Sequence, residues 1–295
     1  MKYTLKWLLS LCAMILPALA LAANPILVPA WQTDSVFEQP ESVAYDPQQK
    51  LLFVSNVNGD ATDADGNGYI SLLSLDGNII DLHWLKGLNA PKGLTIVGNN
   101  LYVADINELV VIDIENKKVT QRYSAPKAKF LNDVVADNKG NVYVSAFLTN
   151  TIYRLENDKF EVWLQTDELE VPNGLLVEDN QLIVASWGHM TAGFATTTAG
   201  HLKIINLDTK QIQSLGDKSA VGNLDGLEAD GNGNYFATDW VAGKILHITP
   251  SGLSSTLVVL EKGSADHTVL PEQGLIIIPM MLSGNVIAYR IKQGN

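Results

Sequence analysis

The sequence predicts an all-β fold, a six-bladed β-propeller whose blades are four-stranded antiparallel sheets. Three observations support this prediction: a short motif occurs six times, a β-rich hairpin follows each copy, and Gly/Asn/Asp turns separate the β-rich segments. In each copy a polar residue introduces an apolar segment, and successive polar residues are 51, 40, 41, 52 and 41 positions apart. A period of roughly 40–50 residues is typical of propeller blades. The aligned polar residues are Glu41, Lys92, Asn132, Asn173, Asp225 and Asp266.

Each copy contains a predicted inner strand. The six copies read PESVAYDP, PKGLTIVG, LNDVVADN, PNGLLVED, LDGLEADG and ADHTVLPE. The strands after them read LLFVSNV, NLYVADI, NVYVSAF, QLIVASW, NYFATDW and GLIIIPM. A third strand follows every hairpin and a fourth follows most, as in EVWLQ and LSSTLVVL. Short strands at such regular spacing indicate blades around a central channel.

The two ends of the chain are predicted to share the last blade. The sixth copy leaves room for only three strands, and an unassigned β-like stretch, ILVPAWQTD, precedes the first copy. We expect this N-terminal stretch to complete the sixth blade, because it would cover an exposed strand edge. The alternative, a loose tail over residues 26–38, is disfavoured by the apolar side chains in this stretch.

Residues 1–22 have the pattern of a secretory signal peptide. Lys2 and Lys6 precede an apolar run, Trp7–Leu21, and small residues close the segment. The alternative is an uncleaved membrane anchor, but the run is shorter than the ~20 residues that span a bilayer. We therefore expect an exported protein, periplasmic or secreted, with a single propeller domain over residues 23–295.

The composition argues against several kinds of partner. The chain carries 20 Lys and Arg against 32 Asp and Glu, and loss of the predicted signal changes its net charge from −12 to −14. With no basic cluster, this balance disfavours nucleic acid and anionic membrane, so the expected partner is a small-molecule substrate or ligand. The one cysteine, Cys12, lies in the signal, so the mature domain has no disulfide. The sequence does not indicate an oligomeric state.

Two of the repeats are roughly ten residues longer than the others, because they contain the insertions Asn58–Gly68 and Gly188–Gly200. Each insertion follows an inner hairpin, which returns the chain to the end where the hairpin began. Both insertions should therefore lie over the face that carries the six polar residues, where we expect the function. The second insertion, with His189 and Phe194, is either a lid or a surface loop.

The aligned polar residues begin the inner strands, so they should lie at one height around the propeller axis. Their oxygen-bearing members near the expected centre are Glu41, Asn132, Asn173 and Asp225. Two carboxylates and two amides suit a hard divalent cation, with Ca²⁺ favoured and Mg²⁺, Mn²⁺ or Zn²⁺ as alternatives. The competing interpretation is turn chemistry, since Asn-Gly and Asp-Gly favour turns. Glu41 and Asn132 occupy the same position of the repeat but are not followed by glycine. Turn chemistry does not explain these two residues, which favours the metal interpretation.

These motifs resemble the gluconolactonase and regucalcin family of six-bladed propellers, also named after the senescence marker protein and the luciferin-regenerating enzyme. The likeness spans essentially the whole mature chain and rests on Glu41 in PESVAYDP, Asn132 in LNDVVADN, Asn173 in PNGLLV and Asp225 in LDGLEADG. The resemblance implies that Glu41, Asn173 and Asp225 bind the metal and that Asn132 lies beside metal and substrate. It also implies a lactone or ester hydrolase in which Asp225 doubles as metal ligand and general base.

Lys92 and the pair Asp266-His267 depart from the family pattern. Lys92 either holds an anionic substrate or neutralises surplus acid, such as that of Glu41 or Asp266, and we favour the structural role. Asp266 would add an acid near the centre. His267 is expected to be a packed or hydrogen-bonded residue in preference to a ligand.

Aromatic residues are expected around the polar centre. Residues 13 to 15 positions after each ring member return to the same face, which places Trp187 and Trp240 near it. These two side chains either contact a small organic ligand or pack between neighbouring blades.

A second, weaker calcium candidate lies in the first insertion. Asp63, Asp65 and Asn67 match the first ligands of an EF-hand loop. The second half of the loop does not match, because position twelve is Ser74 instead of glutamate. An Asx-rich turn is therefore the default interpretation.

Two functions follow from these observations. The first is a metal-dependent hydrolase that acts on a lactone or related ester. The second is a non-catalytic exported propeller that binds a small molecule or a protein partner, with a purely structural metal. The sequence contains no G-x-S-x-G, H-E-x-x-H, Walker or C-x-x-C motif, so serine, zincin and nucleotide chemistries have no support.

Overall fold

The computed structural model describes residues 24–294 and shows six four-stranded antiparallel sheets, which confirms the predicted six-bladed all-β propeller. The predicted signal peptide lies outside the described residues. Within residues 24–294, no helix is long and apolar enough to cross a membrane.

The strands are numbered in chain order. Strand β1 spans Ile26–Gln32. The first blade contains β2 (Pro40–Asp46), β3 (Leu51–Asn56), β4 (Gly68–Ser74) and β5 (Ile79–Leu88). The second contains β6 (Pro91–Val97), β7 (Asn100–Asp105), β8 (Glu108–Asp113) and β9 (Lys118–Ser124). The third contains β10 (Leu131–Ala136), β11 (Val142–Ala146), β12 (Thr151–Glu156) and β13 (Lys159–Gln165).

The fourth blade contains β14 (Pro172–Glu178), β15 (Gln181–Ser186), β18 (Leu202–Asn206) and β19 (Ile212–Ser214). A separate hairpin, β16 (Gly188–Met190) and β17 (Thr196–Ala199), interrupts it. The fifth contains β20 (Leu224–Ala229), β21 (Tyr235–Asp239), β22 (Lys244–Ile248) and β23 (Ser254–Val259). The sixth contains β24 (Thr268–Leu270), β25 (Leu275–Met280) and β26 (Asn285–Lys292). Two short 3-10 helices span Phe147–Thr149 and Asp167–Leu169.

Strand β1 is the outermost strand of the sixth blade. It pairs with β26 antiparallel, from Ile26 opposite Lys292 to Gln32 opposite Ile287. Its Trp31 indole Nε1 donates a hydrogen bond of 2.9 Å to the carbonyl of Leu75, which belongs to the first blade. The N-terminal strand therefore covers the outer edge of the last blade and contacts the first one.

The apolar core is divided into clusters that lie between neighbouring blades. Phe53 and Leu101 belong to a cluster that joins the first blade to the second. Leu52 and Ile277 belong to another, which joins the sixth blade to the first and so closes the ring. Each blade buries its faces against its two neighbours, so the ring depends on lateral packing and not on strand pairing alone.

A β-bulge interrupts the inner hairpin of each of the first five blades. In the first blade Pro40 pairs with Asn56 and Val43 with Val54, so Glu41 and Ser42 stand opposite a single residue. The same irregularity occurs between Pro91 and Leu94, Leu131 and Val134, Pro172 and Leu175, and Leu224 and Leu227. Bulges redirect side chains and occur next to active sites. Here each bulge contains one of the aligned polar residues.

Hydroxyl groups replace ladder bonds that three of these bulges lose. The second residue of the bulge donates its backbone N–H to a serine or threonine on the neighbouring strand at 2.9 Å; the pairs are Ser42 with Ser55, Asp133 with Ser145, and Gly226 with Thr238. Since a buried N–H without a partner is costly, these hydroxyls allow the bulge to be buried.

Glycine at a bulge allows neighbouring inner strands to touch. A Cβ atom at Gly174 would lie 2.1 Å from the carbonyl oxygen of Asp225 on the adjacent blade. A Cβ atom at Gly226 would lie 2.6 Å from Nδ1 of the His267 side chain and 2.7 Å from the His267 backbone nitrogen. The glycines in the N-G-L and D-G-L motifs thus serve close packing between strands.

We predict that Gly174→Ala destabilises the protein by about 2–3 kcal/mol, because the clash is with backbone that cannot rotate away. Gly98→Ala is the control. It also replaces a glycine, but no atom lies within 4 Å of its Cβ position and only its positive φ is strained, so about 1 kcal/mol is expected. Urea unfolding measures both; equal losses would contradict the close-packing role of Gly174.

Candidate functional site

A cavity of about 330 Å³ lies where the inner strands begin. Five of the six aligned polar residues line it: Glu41, Lys92, Asn132, Asn173 and Asp225. All five are buried against the rest of the chain, yet they face this common space. The structure therefore brings together side chains from five different blades.

The sixth ring member lies apart from this cavity. Asp266 accepts a 2.6 Å hydrogen bond from the hydroxyl of Ser42, and its backbone N–H donates to the carbonyl of Glu41. Its neighbour His267 is 2% exposed, and neither ring nitrogen has a hydrogen-bond partner among residues 24–294. Burial lowers the pKa of His267 to about 3, so the imidazole is neutral at pH 7.

The carboxylates at the channel repel one another. Burial, and then the charge of Asp225, raises the pKa of Glu41 above its ordinary value. Burial and the charge of Asp133 raise the pKa of Asp225 to about 8. Asp133 itself is a channel acid that the motif comparison did not single out; burial raises its pKa to about 6, although the backbone N–H groups of Leu175 and Val134 oppose the rise. Such a cluster favours either protons or a bound cation.

Two buried oxygen atoms at the cavity have no donor. Glu41 Oε2 and Asn132 Oδ1 make no hydrogen bond within the described part of the chain, although buried acceptors are normally paired. Nearby, the Asn132 Nδ2 group donates to Asn173 Oδ1, and Asn173 Nδ2 donates to the carbonyl of Leu224 at 3.2 Å. Unpartnered oxygen atoms of a carboxylate and an amide fit a hard cation such as Ca²⁺. The residues present therefore suit the metal that the family resemblance implies.

This donor set mixes acids with amides. Among residues 24–294, no group of three or more His, Cys, Asp or Glu side chains is placed to hold a metal ion. Glu41 and Asp225 are the two acids at the cavity in this part of the chain, and the remaining amide-bearing side chains there are those of Asn132 and Asn173. The site would consequently be a low-charge, oxygen-only one.

The Lys92 ammonium is held by backbone carbonyls. Its Nζ donates to the carbonyls of Ala61 and Ala90, both at 2.9 Å, and lies 4.3 Å from the centre of the Phe130 ring. Burial lowers the pKa of Lys92 to about 8, and the charge of Glu41 opposes the fall. Lys92 thus fastens the first insertion, which contains Ala61, to the cavity wall. Sequence reasoning had no signal for these carbonyl partners.

Aromatic side chains form the cavity wall. They are Phe130, Phe147, Trp187, Phe194 and Trp240. The ring centres of Phe147 and Trp187 lie 5.5 Å apart, and those of Trp187 and Trp240 lie 6.0 Å apart. The structure places both expected tryptophans at the cavity, and at the same time they pack against each other. Phe130, which directly precedes the third inner strand, was not identified from the sequence.

Both insertions reach this face. Ala61 of the first insertion and Phe194 of the second line the same cavity as Glu41. The second insertion forms the β16–β17 hairpin, and the Trp187 indole Nε1 donates to the Phe194 carbonyl at 3.1 Å. The hairpin is thereby attached to the wall.

The EF-hand-like segment forms an exposed Asx turn. The Asp65 carboxylate accepts hydrogen bonds from the Asn67 backbone N–H at 3.3 Å and from Asn67 Nδ2 at 2.7 Å. The side chains of Asp63, Asp65 and Asn67 are all exposed, and none of them lines the central cavity. The structure supplies no further support for calcium at this segment.

We predict that Lys92→Met lowers the free energy of unfolding by about 2 kcal/mol, because the carbonyls of Ala61 and Ala90 lose a charged donor. Amide hydrogen exchange should also accelerate across residues 58–68. Lys262→Met is the control, since Lys262 lines the same cavity but is exposed and rests over Trp240. Unchanged exchange in the Lys92 variant would show that its hydrogen bonds do not hold the insertion.

Three solved structures resemble this chain in fold at low sequence identity. A streptogramin B lyase structure has a TM-score of 0.63 at 12% identity, and the match covers 89% of this chain and 98% of that one. Selenomethionine-substituted virginiamycin B lyase from Staphylococcus aureus has a TM-score of 0.58 at 14% identity, covering 87% and 82%. A catalytically inactive variant of that lyase with quinupristin has a TM-score of 0.61 at 13% identity, covering 92% and 100%. These likenesses show the fold alone.

No curated protein matches the sequence of this chain. A family profile does match it: the SMP-30/gluconolactonase/LRE-like region is found over residues 39–262, which is most of the chain and includes the five polar residues at the cavity. With the propeller and its converging polar side chains, this match shows that the chain belongs to the SMP-30/gluconolactonase/LRE-like family.

Proposed function

We propose that the protein is a metal-dependent hydrolase that acts on a lactone or related ester. The observation that carries this proposal is the convergence of carboxylate and amide oxygens, two of them buried without a donor, at a cavity of about 330 Å³. A cavity of that size suits a small organic ligand, since ligand pockets have volumes of roughly 300–1,000 Å³. Family membership supports the same reaction class.

Glu41, Asn173 and Asp225 would hold the divalent cation, with Asn132 beside it and its unpartnered Oδ1 available as a further oxygen ligand. When bound, the cation would supply Lewis acidity toward a carbonyl oxygen and would favour ionisation of water. Ca²⁺ is the ion that the oxygen-only set suits best, and Mg²⁺, Mn²⁺ and Zn²⁺ are the alternatives to test.

Asp225 is the residue that we propose as general base. With a cation bound, its carboxyl group at the cavity would be held in the ionised form and would accept a proton from a water molecule whose oxygen bonds to the carbonyl carbon. The bond between that carbon and the ester oxygen then breaks, and the departing alkoxide takes up the proton. The products are a carboxylic acid and an alcohol, which in a lactone belong to one molecule.

Lys92 and Asn132 would position the substrate. The Lys92 ammonium has three N–H donors, and the hydrogen bonds to Ala61 and Ala90 use two of them. The third donor suits a carbonyl oxygen or the carboxylate of the product. The aromatic wall would exclude water from the cavity, which would strengthen these polar contacts.

The second candidate is a binding protein without catalysis. The same cavity and the same Lys92 donor would hold an organic ligand equally well if the cation were structural only. Export to the periplasm or the medium is part of both candidates and rests on the pattern of residues 1–22.

We predict that a chelator abolishes lactone hydrolysis and that Ca²⁺ restores it. Glu41→Gln and Asp225→Asn should each lower kcat/KM by roughly 100-fold, because each removes a charge from the cation site. The matched controls are Glu272→Gln and Asp208→Asn, two exposed acids outside the cavity. Metal content and a panel of aldonolactones, alkyl lactones and aryl esters provide the measurements.

Two results would decide against the hydrolase mechanism. Hydrolysis that survives complete metal removal would show that no cation is needed. A metal-replete protein that hydrolyses nothing on the panel would favour the binding protein.

A further inference from the structure

We propose that the substrate is hydrophobic: a lactone or ester with an alkyl or aryl substituent, in contrast to a polyhydroxylated sugar lactone. This inference rests on the proposed function for its reaction, but the claim about the ligand concerns only the cavity walls. It therefore makes a prediction for binding as well as for hydrolysis.

The cavity separates polar from apolar groups. The polar residues of the channel lie together and come from the starts of the inner strands, whereas the walls are the aromatic rings together with Ala61, Met281 and Leu282. Within residues 24–294, Lys262 is the one further charged residue at this cavity, and it is exposed. A ligand whose ester group contacts the polar residues must therefore place the rest of its atoms against the apolar side chains of the wall.

The polar groups near the wall are largely engaged. The Trp187 Nε1 group donates a hydrogen bond to the carbonyl of Phe194, and Lys92 Nζ donates two hydrogen bonds to backbone carbonyls. Asn173 Nδ2 donates to the Leu224 carbonyl. A sugar lactone carries a hydroxyl on nearly every ring carbon, and those directed at the aromatic wall would lose their water partners without gaining protein ones. An alkyl or aryl substituent has no such requirement.

The Phe194 side chain is only partly covered by its apolar neighbours. Its side chain is 52% exposed, although its ring centre lies 6.0 Å from that of Phe147 and 6.2 Å from that of Phe130. Leu282, which also lines the cavity, is 57% exposed. A hydrophobic substituent bound in the cavity would remove apolar surface of these two side chains from water, and such burial is the usual driving force for binding.

The decisive experiment compares two six-membered lactones that differ in their substituents. The metal-loaded protein should hydrolyse δ-decanolactone with a kcat/KM about tenfold or more above that for glucono-δ-lactone. Binding is measured separately by calorimetry with the δ-lactam that carries the same pentyl chain, because an amide at that position resists hydrolysis. Binding should show a negative heat-capacity change, the mark of apolar burial.

Phe194→Ser tests the wall directly. It should weaken lactam binding and raise KM for δ-decanolactone about fivefold or more, with kcat for that substrate little changed. Phe194→Trp should retain binding. The control is Leu253→Ser, which replaces another exposed apolar residue, 68% exposed and outside the cavity.

The outcomes separate this inference from the proposed function. Glucono-δ-lactone hydrolysed as well as δ-decanolactone would overturn the inference and leave the hydrolase intact. Lactam binding that Phe194→Ser weakens, without hydrolysis of either lactone, would support the hydrophobic ligand and remove the hydrolase. No lactam binding, or binding that Phe194→Ser leaves unchanged, would overturn the inference.

Discussion

The structure depends on the contact between neighbouring inner strands at the channel. The Asp133 carboxylate shows how this contact is made: one oxygen accepts a hydrogen bond from the Val134 N–H of its own blade, and the other accepts one from the Leu175 N–H of the next blade, both at 2.6 Å. At Gly174 and Gly226 the strands approach so closely that no side chain fits between them. The bulges are compatible with this approach because hydroxyl groups accept hydrogen bonds from the buried N–H groups of three of them.

This packing determines the electrostatics of the site. Inner strands that touch bring Glu41, Asp133 and Asp225 into a shared, poorly solvated space, where each negative charge disfavours the others. Lys92 supplies one positive charge, but two backbone carbonyls fix its ammonium at the wall. A divalent cation at the cavity would offset the remaining repulsion, which connects the stability of the ring with its proposed chemistry.

The fold could be predicted because its signal is repeated. A polar residue at blade spacing, followed by two β-rich segments, identifies Glu41, Asn132, Asn173 and Asp225 as neighbours although they are far apart in the chain. The bulge that orients them leaves no mark in composition, since it depends on pairing between strands. The partners of Lys92 are backbone atoms, which no residue type reveals. Asp266 follows the same repeat yet lies outside the cavity, because it is turned toward Ser42.

The apolar wall illustrates the same limit. Trp187 and Trp240 follow hairpins of nearly equal length, 14 and 15 residues after Asn173 and Asp225, so counting residues from the ring places them correctly. Phe130 precedes an inner strand, but the equivalent residues of the other blades are not aromatic, and Phe194 lies on an inserted hairpin that the other blades lack. A feature that occurs in only one blade cannot be predicted from the repeat and is found only in the structure.

The pairing of β1 with β26 has a consequence for how the molecule is made. Of the described strands, β1 is synthesised first and its partner β26 last. Strand β1 therefore stays unpaired until the rest of the propeller has been synthesised. Contacts between such distant segments form slowly, because the intervening chain must be gathered before they yield any stabilisation. Closure of the ring is therefore a late event. A nascent chain with five complete sheets still exposes unpaired strands and the apolar faces that the sixth blade will cover.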